Sequence, residues 1–236
     1  MNAVPPNKSN FSQNANVLGS PLRGVIDLSF VREETLCEIF AATVAKHPKN
    51  IAMIEGNRKL TFAEVDAKAE AIARGLVGEG VGPGDVVGLY LPRGVDLLIA
   101  QIAITKSGAA WLPFDSETPK DRIAVCLGDA KAKGLLTSEE FLKRVEGIAF
   151  LVWPITGKIS KTSRSKLVDP RTRGHASSST AYMIYTSGST GVPLLIVISA
   201  IICGHQMRCS GSMKQMLCSK VARWLLIFRW KKFGSR

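Results

Sequence analysis

Thr186, Ser187, Gly188, Ser189, Thr190 and Gly191 follow directly behind the apolar run from Thr180 to Tyr185. The two glycines accept backbone angles closed to other residues, so successive amides can curl around an anion while the four hydroxyls donate to it. That is the chemistry of a phosphate-binding loop. A flexible Ser/Gly linker is the alternative, but linkers rarely follow straight on an aromatic and aliphatic strand, whereas a buried strand delivering a glycine loop is a usual nucleotide-site construction. The loop is not of the Walker type, which needs a glycine five residues before Gly-Lys; the nearest approach, Gly157-Lys158, has Val152 there.

Other reactive side chains point to less. Cys126 falls on the inner side of a helix near Ile123 and Leu127, and His175 lies in a polar connection, so the two read as a core thiol and a surface imidazole rather than a nucleophile and its base. Lys106 and Lys158 read as isolated surface charges. The cysteines at 37, 126, 203, 209 and 218 form no Cys-x-x-Cys pair and no metal-like spacing. No residue is put forward as catalytic or as a metal ligand.

The loop needs a scaffold, and the preceding sequence alternates strand and helix in the way a mainly parallel sheet with covering helices requires. Thr35 with Glu38 is a capping box for a helix carrying Leu36, Ile39, Phe40 and Val44, which His47-Pro48 ends. Ile51 to Ile54 reads as a strand and Gly56-Asn57 as a turn. Thr61 with Glu64 caps a second helix with Val65, Ala69, Ile72, Ala73 and Leu76 on one side. The glycines between Gly78 and Asp85 stop it ahead of the strand from Val86 to Tyr90. Asp96 to Lys106 is apolar nearly all round, which predicts a buried helix before a strand from Ala109 to Phe114. Thr118 caps a helix with Pro119 at its first position, and 133–137 and 148–152 read as further strands. The fold class is therefore α/β, an open and mainly parallel sheet. From Trp153 to Ser179 the chain is polar and basic and reads as a solvated connection.

Three segments in order resemble the adenylate-forming enzymes, the superfamily of acyl-CoA synthetases, luciferases and non-ribosomal peptide synthetase adenylation domains. The family's loop reads Tyr-Thr-Ser-Gly-Ser/Thr-Thr-Gly-x-Pro-Lys-Gly. Leu60-Thr-Phe-Ala-Glu64 is similar to its first core motif, and the segment Thr105 to Asp115 to its second. Pro119 and Arg122-Ile123 resemble peptide synthetase amino-acid adenylation domains more than acyl-CoA ligases. The segments 85–90 and 96–106 resemble stand-alone synthetases that make homopolymers of an amino acid. The resemblance implies the amino-terminal part of the family's large domain and a two-step parent reaction. A carboxylate attacks the α-phosphate of ATP, pyrophosphate leaves, and a phosphopantetheine thiol carrier takes the acyl group from the adenylate. It implies ATP and magnesium as cofactors, a carboxylic or amino acid as substrate, and Thr186 to Gly191 as nucleotide-site residues.

Departures from the family predict that this chain is inactive and does not bind ATP and magnesium productively. Leu194 stands where the loop has its lysine and Leu195 where it has glycine, and the later motifs that hold adenine, ribose, magnesium and the catalytic lysine have no counterpart. Residues 194–236 supply eight of the twelve net positive charges, with no acidic residue and no proline. The expected organisation is a flexible leader at 1–23, the family segment at 24–193 and a basic, apolar tail at 194–236, read from a shifted frame or joined from unrelated sequence. A sheet cut there should have open edges, marginal stability and no ATP-pyrophosphate exchange.

Length of 236 residues, 46% hydrophobic and 21% charged composition are ordinary globular usage, and the odd cysteine count fits reduced thiols. A polar leader without an apolar stretch predicts a cytoplasmic protein. The alternative function is membrane association through the basic aromatic stretch Arg223 to Phe233. A specific nucleic-acid partner is not expected, because the basic residues are spread over a connection and a tail with no groove-reading helix.

Overall fold

The computed structural model describes residues 34–156, 159, 174–176, 178–187 and 193–199, so that Lys158 and the leader at 1–23 lie outside the described residues. Helix α1 (Leu36–Lys46) opens on the capping box, with the Thr35 hydroxyl accepting from the Glu38 amide and the Glu38 carboxylate accepting from the Thr35 amide at 2.7 Å. Helix α2 (Phe62–Gly78) repeats the device with Thr61 and Glu64. Hydrogen bonds from the Thr61 backbone and side chain hold the Glu64 carboxyl below its ordinary value. Both starts are decided within four residues, which is why periodicity and caps alone locate them.

A six-stranded sheet forms the centre, from β3 (Val86–Tyr90), β4 (Ala110–Pro113), β5 (Gly134–Thr137), β6 (Leu151–Pro154), β7 (Thr180–Ser187) and β8 (Pro193–Ser199). Its order is β6-β5-β3-β4-β7-β8, with five strands parallel and β8 antiparallel to β7. Helix α3 (Val95–Ser107) connects β3 to β4, and α4 (Lys120–Asp129) connects β4 back across β3 to β5. Every residue of β3 is buried because both faces are covered. Val87 and Leu89 join the cluster with α2 and α3, while Val86 and Tyr90 join the one with α4.

Several sequence expectations are corrected. Ile51 to Ile54 is not a member of the main sheet: β1 (Ile51–Glu55) pairs antiparallel with β2 (Arg58–Thr61) in a separate hairpin closed by Gly56 and Asn57. A two-residue turn returns the chain on itself before any crossover can form. The strand expected at 148–152 begins at Leu151, because Ile148 is still bonded to Val145 in the preceding turn and Gly147 takes a positive φ of 76°. Pro119 is the cap of α4 rather than its first residue, since Thr118 closes a turn onto the Asp115 carbonyl. The connection from Trp153 is not wholly solvated either: Trp153, Ile155, Ile159 and His175 are buried. The apolar-all-round helix is found as expected, and α3 buries Ile99, Ala100, Ile102, Ala103 and Ile104.

Lys106 is the largest correction. It is buried, and its ammonium lies 2.8 Å from Asp66 Oδ1 on α2. A charge on a helix with no wet face has to be neutralised locally, and the neighbouring helix supplies the carboxylate.

Candidate functional site

In an open α/β sheet, ligands bind beyond the carboxyl ends of the parallel strands. Five strands end on that edge here, and β7 brings Thr186 and Ser187 to it. Gly188, Ser189, Thr190 and Gly191 lie outside the described residues. Their two flanks do not: Ser187 pairs with Pro193 and Thr186 with Leu194, so the hydroxyl and glycine segment joins two paired strands of one antiparallel hairpin.

Packing on both faces sets the course of β7. Tyr182 is the register partner of Trp111 on β4, and their rings stack with centroids 5.2 Å apart and planes 15° from parallel. Three residues on, the Tyr185 hydroxyl donates to Asp129 Oδ2 at the end of α4, with the Cys126 carbonyl as a second acceptor at 3.5 Å. Burial first, then the Asp129 carboxylate, pushes the Tyr185 phenol well above its ordinary value. Burial also pushes the Cys126 thiol up, with Arg122 opposing and Asp129 adding to the shift. Cys126 is thus the core thiol that its position predicts.

The raised phenol has a consequence at high pH. Below about pH 10 both folded and unfolded tyrosine keep their proton, so the contribution is complete. As pH rises further the unfolded chain loses its proton first, and stability falls until the folded phenol ionises too. Asp129, Cys126 and Arg122 are the charged or titratable groups contributing to this shift. Thermal midpoints from about pH 9 to about pH 11.5, a span that brackets the ordinary tyrosine value, should fall more steeply for the unaltered chain than for Tyr185→Phe; parallel declines would refute the assignment.

Beside β7, the loops after β3 and β4 are tied together. Tyr90 and Arg144 both donate to the Ser116 carbonyl at 3.0 Å, Arg93 pairs with Asp115 at 3.1 Å, and the Thr137 hydroxyl donates to the Tyr90 carbonyl at 2.7 Å. Partial burial acts to raise the Asp115 carboxyl, but hydrogen bonds from Arg93 and Ser116 outweigh it and hold the group below its ordinary value.

His175 belongs elsewhere. It is buried, not a surface imidazole, and lines a small cavity with Leu36, Thr105, Ala109 and Thr180, the first residue of β7. Seven residues of strand, roughly 23 Å, separate that end from Ser187. Cys126 packs with α4 on the opposite face, so no thiol and imidazole pair is assembled. Sequence reasoning misses Asp129 and Arg93, and meets Asp115 only as the last position of the second core motif. Nothing local marks the pairings of Arg93 with Asp115 and of Tyr185 with Asp129, which join residues 22 and 56 positions apart. Among the described residues no cluster of His, Cys, Asp or Glu could hold a metal ion.

The family model for AMP-binding enzymes matches residues 40–209. The chain is 42% identical over 191 residues to Delta-poly-L-ornithine synthetase of Acinetobacter baumannii (strain AB307-0294), covering 81% of this chain and 14% of that protein. Among solved structures, the peptide synthetase FmoA3 (S1046A) with bound alpha-methyl-L-serine-AMP is similar with a TM-score of 0.67 and 27% identity, over 75% of this chain and 19% of that one. NpsA-ThdA of Klebsiella oxytoca, an artificially fused adenylation-PCP di-domain, gives 0.62 and 25%, over 72% and 33%. The chain therefore spans a small part of the proteins it resembles.

Proposed function

Since the chain belongs to the AMP-binding enzyme family, we propose that it represents the amino-terminal part of an amino-acid adenylation domain whose Thr186 to Gly191 segment receives the pyrophosphate end of ATP. The observation that carries this reading is β7, a strand inside a parallel sheet that runs directly into the hydroxyl and glycine segment on the ligand-binding edge. In the parent protein the segment would supply amide and hydroxyl donors to the departing pyrophosphate, whose spread negative charge needs fixed donors in place before reaction. Magnesium would neutralise that charge when bound. The substrate is an amino acid and the acceptor a carrier thiol, readings supported by the FmoA3 and NpsA-ThdA similarities. Ornithine is the first substrate to test, given the poly-ornithine synthetase relative and the resemblance to homopolymer-forming enzymes.

The chain itself is read as inactive, because Leu194 offers no charge where the family's loop has lysine. The change of sequence character after Pro193 is part of the proposal. The change of frame or join is placed directly after Pro193, although the family match continues to residue 209 and β8 to Ser199. The other two frames of the coding DNA decide it: the idea fails if neither restores Lys-Gly and the later motifs. The membrane reading rests on 223–233, outside the described residues, and among the described residues no helix is long and apolar enough to cross a membrane.

Two assays test the function. Titration of the full chain with inorganic pyrophosphate should show saturable binding that Gly188→Val and Gly191→Val abolish. Isotope exchange between ATP and pyrophosphate should stay at background with ornithine and with a panel of other amino acids. Amino-acid-dependent exchange by the full chain would overturn the inactive reading, and pyrophosphate binding untouched by both glycine substitutions would overturn the loop assignment.

A further inference from the structure

The geometry points to Asp129 as a positioning residue for the phosphate-binding edge, acting through Tyr185 on the carboxyl end of β7. The inference rests on the adenylation reading above and adds to it a residue far from the motif. Asp129 is the last residue of α4, where a carboxylate meets the negative end of the helix dipole, and no basic side chain occupies that last turn to offset it. Taken within its own helix the aspartate is unfavourable. Its compensation comes from β7, whose Tyr185 hydroxyl donates to it across the sheet face.

Two features make that bond consequential. Helix α4 is firmly seated, with Ile123, Cys126 and Leu127 buried and Leu127 Cδ2 only 2.5 Å from where a Cβ on Gly88 of β3 would stand. Strand β7, by contrast, shares one parallel register pair with β4, Trp111 with Tyr182, where β3 and β4 share four. Beyond Tyr182 the register pairs of β7, through Thr186 and Ser187, are all with the antiparallel edge strand β8. A hydrogen bond from Tyr185 to a seated helix ties that end to the core of the sheet, which the ladder to the edge strand β8 does not do.

The test uses the full chain and three variants: Tyr185→Phe, which keeps the ring, Asp129→Ala, and Asp129→Asn, which keeps an acceptor oxygen. Backbone amide hydrogen exchange is read at Tyr185 to Ser187 and, as a control, in β3 and β5. The dissociation constant for inorganic pyrophosphate is measured alongside. Tyr185→Phe and Asp129→Ala should each speed exchange at 185–187 about threefold or more and weaken pyrophosphate by a similar factor, the scale of one modest hydrogen bond. Exchange in β3 and β5 should be unchanged, and Asp129→Asn should retain most of both properties. Exchange that rises equally in all three strands with pyrophosphate affinity intact marks a merely structural contact and overturns the proposal. If the unaltered chain binds no pyrophosphate, the loop assignment fails on its own, and the exchange pattern decides the tether: local acceleration upholds it and no acceleration overturns it.

Discussion

Lys106→Met should lower the unfolding free energy by about 3 kcal/mol, the low end of what removing one partner from a buried ion pair costs. The Lys106 side chain is 9% exposed and that of Asp66 23%, so the carboxylate left behind reaches some water but not enough to be fully solvated. The position at the last turn of α3 adds a favourable dipole interaction that methionine also forfeits. Combining it with Asp66→Leu should recover most of the loss, because the penalty lies in the uncompensated charge rather than in the missing attraction. Urea midpoints of the two single variants and the double variant make the comparison. A single-variant loss under about 1 kcal/mol, the range of exposed pairs, would show that the pair behaves as a surface contact.

Leu112→Ala should cost about 3 kcal/mol, within the usual span for emptying a fully buried leucine site. Leu112 has no exposed surface and lies in β4, the strand that links the β6-β5-β3 half of the sheet to β7 and β8. Its loss from the α4 side should be felt along the whole seam between β4 and β7. Val125, 63% exposed on α4, is the control, and Val125→Ala should stay within about 0.5 kcal/mol. Against the 5 to 15 kcal/mol by which domains are normally stable, the first change is large and the second is not. Equal shifts in denaturant midpoint would contradict the assignment of Leu112 to the interior.

The two capping boxes, the apolar face of α2 and the burial of α3 are all legible in the amino-acid sequence, since each is written in residues three or four apart. The hairpin is half legible. Gly56 and Asn57 read as a turn, but the pairing of Ile51 to Glu55 with Arg58 to Thr61 does not show, because β2 is short and carries just one buried apolar residue, Leu60. The turn length is the available signal, as two residues between extended segments favour a hairpin over a crossover. Lys106 misleads for a different reason. Counted singly, a lysine belongs at the surface; on a helix with no polar face it has nowhere wet to go.

For the site, the donor chemistry of Thr186 to Gly191 and the family that carries it are legible in the chain order, because a phosphate loop is assembled from consecutive amides and hydroxyls. The bracing of that segment is not. Asp129 lies 56 residues from Tyr185, and on α4 alone it looks like a poor choice of residue. Strand order, the seat of α4, the Trp111 and Tyr182 stack and the burial of His175 depend on which distant surfaces meet. Contacts within a turn of helix are dictated by neighbours along the chain, whereas contacts across a sheet exist only once the whole layer has closed.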